Sequence, residues 1–116
     1  MTRTVDERVQ DILAAIMRAR VAEKRLRLGE SLGDDVGVQI AYQAILHNLS
    51  VIGETVKAIP VEILDRATDV SWADVAAMGD VLGHDYQLIV VADVRRMVDV
   101  DLGGLETAVR RLRAAI

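Results

Sequence analysis

Val38, Ala41, Ile45, Leu49, Ile52, Val56 and Ile59 follow one another at intervals of three and four residues. Only an α-helix brings such positions onto one face. A face that long must be buried against another helical surface. Proline, the strongest helix breaker, occurs once, as Pro60, directly after the stripe. These two facts constrain the chain to helices packed on helices.

The rest of the sequence agrees. Val5, Val9, Ile12, Ile16 and Ala19 predict a first helix running to about Leu28. Gly29, Gly33 and Asp34-Asp35 predict a loop and an N-cap for the second helix. Pro60 ends that helix and can start a short third one, from Val61 to about Ala67. Ser71 is the expected N-cap of a fourth, with Asp74 as the acidic partner of a capping box. Its apolar face holds Trp72, Val75, Met78 and Leu82. A further apolar helix is expected from Leu88 to Val100. Asp101 then caps a final segment that buries Leu105, Ala108, Val109 and Leu112, with a kink near Gly103-Gly104. No stretch alternates as a strand does. The expectation is one all-α domain over residues 1–116, an antiparallel four-helix bundle with a short extra helix and a kinked C-terminal helix.

Composition removes several chemistries. There is no cysteine, so disulfides, thiolate metal sites and cysteine nucleophiles are excluded. No Gly-rich phosphate loop and no Gly-x-Ser-x-Gly elbow occur. Two histidines without Glu-x-x-His do not make a di-iron bundle. No metal and no cofactor are expected. The N-terminus lacks a signal-peptide core, and no apolar run approaches the roughly 20 residues of a membrane span. A cytoplasmic protein without membrane contact is expected. The formal charge is -4, whereas nonspecific nucleic-acid binders are usually basic. Any RNA contact must be local, through groups such as Arg18, Arg20, Lys24, Arg25 and Arg27; Arg95 and Arg96; or Arg110, Arg111 and Arg113. Each group also reads as a solvated helix face.

On the fourth helix, Ala73, Ala77, Asp80 and His84 share the side opposite the apolar face. Asp80 lies one turn before His84, so its carboxylate can orient or charge the imidazole. The plainer reading is an exposed histidine near a helix C-terminus. The small Ala73 and Ala77 allow another helix to pack closely. His47, on the second helix, is read as surface or as part of an interhelical hydrogen bond rather than as catalytic.

The run Met78-Gly79-Asp80-Val81-Leu82-Gly83-His84-Asp85-Tyr86 resembles the motif of HEPN-type toxins of the HepT family, in which an Arg is followed by four to six spacers, then His, any residue and Tyr. His84 and Tyr86 match, and Gly79 stands where the Arg is expected. Ala41 through Glu54, ending Ile52-Gly53-Glu54, resembles the family's second helix. Ser71 through Met78 resembles the approach to its motif. The resemblance covers roughly residues 5 to 112.

It implies a homodimeric, metal-independent ribonuclease with a cleft between protomers. It also implies a toxin–antitoxin system whose partner is an MNT-type nucleotidyltransferase antitoxin that uses ATP to AMPylate Tyr86. RNA cleavage without a metal needs a base, an acid and a cation for the phosphorane. His84 can move the protons, but Gly79 supplies no cation, and Asp80, where the family has Asn, repels phosphate. An attenuated toxin is one expectation. A degenerate dimer serving as a protein-interaction module is the alternative, and a purely structural helical dimer is a third. Arg and Gly codons can differ by one base, which leaves natural degeneration and a later inactivating change both open. On helix propensity Arg at position 79 should be tolerated, and its planar pair of donors should meet the phosphorane charge and raise activity.

Overall fold

The computed structural model describes residues 2–84 and 89–116 and, of His84, the backbone alone. Helix α1 spans Val5–Leu32 and α2 spans Asp35–Lys57. A single turn, α3, covers Val61–Leu64, and α4 covers Trp72–His84. The C-terminal helix is continuous in three parts: α5 at Val91–Arg96, a π-helical turn at Met97–Asp101, and α6 at Leu102–Ala115. No strand occurs among the described residues. The all-α expectation holds, with α1, α2, α4 and the C-terminal helix as its main members. No helix among the described residues is long and apolar enough to cross a membrane.

Helix α1 starts on a reciprocal capping box. The Thr4 hydroxyl accepts from Glu7 N–H, and the Glu7 carboxylate accepts from Thr4 N–H, both at 3.1 Å. The helix does not stop at Leu28, as the glycines suggested. Gly29 lies inside it, and Gly33 ends it in the left-handed conformation at φ 68°. Gly29 serves a different purpose: a Cβ there would sit 3.0 Å from Val38 Cγ2 and 3.3 Å from Val38 N. It lets the start of α2 cross close to α1. Asp34 caps α2 through Gly37 N–H at 3.0 Å.

The expected stripes are the observed core. Val9, Ile12, Ile16 and Ala19 of α1 are buried against Ala41, Ile45, Leu49, Ile52 and Val56 of α2. Leu105, Ala108, Val109 and Leu112 of α6 complete it. Helix α2 packs chiefly on α1 and α4, and α1 packs also on α6.

The C-terminal segment departs from expectation. Its described helix begins at Val91, and Leu88 lies outside the described residues. Asp101 is not a cap. It sits in helical conformation inside the π turn and makes no capping bond. The irregularity in this helix is that turn, where Leu102 N–H reaches back to Met97 C=O, and Gly103 and Gly104 follow it within α6. The extra residue of a π turn re-aims the helix without ending it.

Ion pairs show that this helix runs antiparallel to α1. Arg95 meets Glu30 at 2.9 Å, Asp99 meets Arg27 at 2.8 Å, and Glu106 meets Arg20 at 2.6 Å. Within this row Glu23 is buried. Its Oε1 accepts from Arg27 Nε at 2.9 Å, but its Oε2 has no donor. Burial, and then a hydrogen bond to the Asp99 carboxylate, push the Glu23 carboxyl above its ordinary range, against the pull of Arg27. A carboxyl proton shared between Glu23 and Asp99 would relieve this conflict.

Because the folded value lies above the unfolded one, folding favours protonated Glu23. Stability therefore falls as pH rises from the unfolded value through the folded one. Glu23→Gln supplies an amide donor at every pH. It should flatten this fall and raise stability by about 1 kcal/mol above the titration, or roughly 3–5 °C in Tm. Calorimetry of both proteins at acidic and mildly alkaline pH measures the difference. Parallel Tm–pH curves for the two would refute the shared proton.

Candidate active site

The described part of the motif, Met78 to Gly83, lies on α4 where that helix packs on α2. Helix α4 starts at Ser71, whose hydroxyl accepts from Asp74 N–H at 3.3 Å. Trp72 anchors that end, its indole N–H donating to Ala67 C=O at 2.8 Å. Val75 and Met78 are half-buried and Leu82 is buried, as their spacing predicted. Ala73 and Ala77 are exposed.

At the centre of the seam the two backbones touch. A Cβ on Gly53 would lie 2.5 Å from Gly79 Cα, 2.8 Å from Gly79 N and 3.1 Å from Val75 O. A Cβ on Gly79 would lie 2.6 Å from Gly53 Cα and 3.2 Å from Gly53 C. Neither contact involves a movable side-chain tip. Further along, a Cβ on Gly83 would come within 3.0 Å of Ser50 Oγ. Position 79 is therefore not an open site awaiting an arginine, and the expected tolerance of Arg there fails because its first side-chain atom meets the α2 backbone.

Asp80 projects from the flank of this crossing and forms an ion pair with Lys57 of α2, which also meets Glu54 at 3.2 Å. The hydrogen bond it donates to Asp80, then the one it donates to Glu54, hold the Lys57 ammonium above its ordinary pKa, so it is charged at neutral pH. Sequence reasoning missed Lys57. Its place three residues after Glu54 marked only a helical ion pair, and its reach to α4 depends on the crossing. Arg95 and Arg96, one of the basic groups named for local RNA contact, are paired elsewhere: Arg95 with Glu30, and Arg96 with Asp93 at 3.7 Å.

His84 is the last residue of α4. Its side chain, Asp85 and Tyr86 lie outside the described residues. His47 is exposed, one turn before Ser50.

The family model described as Ribonuclease HepT-like matches residues 12–112. This chain belongs to that family. It is also 36% identical over 58 residues to a protein named "Putative RNase TTE0752" from Caldanaerobacter subterraneus subsp. tengcongensis, a match that takes in 50% of this chain and 52% of that protein. The chain thus spans about half the length of the curated relative it matches. No solved structure matches it.

The α2–α4 crossing is closed at position 79. This decides between two opposed effects of Gly79→Ala. Helix propensity favours Ala by about 1 kcal/mol. A Cβ driven into a facing backbone costs about 1–3 kcal/mol or more. The second should win, with a net loss of roughly 1–2 kcal/mol in urea unfolding and a larger one for Gly79→Arg. An alanine variant more stable than the parent would show that the helices do not cross this closely.

Proposed function

We propose that this chain is the toxin component of a toxin–antitoxin pair, an attenuated ribonuclease that cleaves RNA without a metal. The observation that carries the reading is the Ribonuclease HepT-like match over residues 12–112, which includes His84 at the end of α4 and Tyr86. In this reading His84 takes the proton from the ribose 2′-hydroxyl and returns one to the departing 5′-oxygen. Two protomers would bring two such histidines to one cleft, and the exposed Ala73 and Ala77 leave room for close packing between them. The silencing partner is a nucleotidyltransferase that adds AMP from ATP to the Tyr86 hydroxyl.

The cation for the phosphorane is Lys57, which stands beside the residue that follows Gly79. Asp80 and Glu54 hold it. An ammonium also lacks the planar pair of donors with which a guanidinium meets a phosphate. Both facts weaken stabilisation of the transition state and account for the attenuation. A second reading, a protein-interaction module without activity, draws on the closed Gly53–Gly79 crossing, which leaves no space for an arginine.

Asp80→Asn separates the two. It keeps the size of the side chain, removes the charge opposed to phosphate and leaves the Lys57 ammonium held by Glu54 alone. It should raise cleavage of total RNA in EDTA by about ten- to a hundredfold, the scale of one electrostatic donor. Adding Lys57→Ala or His84→Ala should abolish the gain at unchanged helicity. If Asp80→Asn cleaves no better than the parent, the interaction-module reading takes its place. AMP transfer to Tyr86 is tested separately, by mass spectrometry of the chain incubated with its cognate nucleotidyltransferase and ATP. An adduct retained in Tyr86→Phe would overturn that assignment.

A further inference from the structure

A groove of about 580 Å³ runs along the seam of α1 and α6, on the side of α1 away from the α2–α4 seam. Its floor is aliphatic: Leu13, Met17 and Val21, spaced four residues apart on α1. Met17 is 63% exposed and Val21 46%. Its walls carry four cations, Arg20, Lys24, Arg110 and Arg113, against one lining carboxylate, Glu106, with Asp6 3.9 Å from Arg113. The whole chain carries a formal charge of -4, so this is a local reversal of sign. Glu106 holds Arg20 at 2.6 Å and Arg110 at 2.9 Å and so sets both guanidiniums along one wall. Lys24 has no carboxylate partner among the described residues.

An occupant must cover aliphatic side chains and bring negative charge. RNA brings charge, but nothing aromatic lines the groove to stack a base, and a phosphate chain leaves Met17 and Val21 wet. A helix with an apolar ridge flanked by Asp or Glu meets both requirements. The lined part of α1, from Gln10 to Lys24, is about 21 Å long at 1.5 Å per residue, which matches four turns of such a helix.

We propose that the α1–α6 groove docks an acidic amphipathic helix of a protein partner. The ridge of that helix packs on Leu13, Met17 and Val21, and its carboxylates pair with Lys24, Arg110 and Arg113. This inference does not rest on the ribonuclease reading.

The probe is a fluorescent stapled helix of about 16 residues, with leucines at i, i+4, i+7 and i+11 and glutamates on either side. A twin with lysine for every glutamate and a single-stranded RNA of about 16 nucleotides are the comparisons. The acidic helix should bind the full chain at least about tenfold more tightly than its twin, and more weakly as salt rises. Met17→Glu and the pair Lys24→Glu, Arg110→Glu should each lower its affinity about tenfold. These residues are exposed, so helicity and Tm should stay near those of the parent. Equal binding of the two helices overturns the proposal. So does RNA binding lost in Lys24→Glu, Arg110→Glu while the acidic helix is unaffected, which would make the groove a nucleic-acid track. If sedimentation shows Met17→Glu dissociating the chain from itself, the face belongs to a second copy and the proposal also fails.

Discussion

The contact between Gly53 and Gly79 sets the geometry of the functional half of this molecule. Two helices whose backbones touch leave no side-chain layer between them, so their separation is fixed by main-chain atoms rather than by adjustable rotamers. That separation brings Gly83 against Ser50 and lets Lys57 of α2 reach Asp80 of α4. It also decides where His84 leaves the end of α4. A bulkier residue at either glycine would shift all of these together, because α4 would move as a rod.

Closure of the crossing and the absence of a side chain at position 79 are thus one structural fact. An arginine at position 79 would begin its side chain where Gly53 now lies. Here the helices pair backbone to backbone, and a lysine, Lys57, reaches Asp80 on their flank. That lysine is a compact charge already held by two carboxylates. An arginine placed at position 79 would have to move α4 off α2 before it could reach a phosphate.

Most of the fold was legible because burial follows periodicity. The α2 stripe, the α1 stripe and the four inward residues of α6 were read from spacing and are the core. Ser71 and Asp34 were read as caps and act as caps. What escaped were features that depend on two elements at once. Gly29 looks like a stop when its own helix is considered, yet it serves the passage of Val38. The π turn at Met97–Asp101 has no composition of its own, and Gly103-Gly104 drew the expected irregularity a few residues too far along. The Thr4–Glu7 capping box was there to be read and was passed over. At the candidate site, the positions on α4 were legible, but the Lys57–Asp80 pair and the filled space at Gly79 were not. Neither can be inferred before the crossing distance is known.

The layering keeps the two surfaces with chemical character apart. Helix α4 lies on α2, and α6 lies on α1. The seam that carries Asp80 and Lys57 therefore opens on one edge, and the cationic groove of Arg20, Lys24, Arg110 and Arg113 on another. The carboxylates follow the same division: Glu54 and Asp80 sit on the first edge, while Glu106 alone lines the second. An anionic helix is repelled where phosphate chemistry is proposed and attracted where it is not. A protein seated on α1 and α6 would leave the end of α4 uncovered, so docking and chemistry on this chain need not compete for one surface.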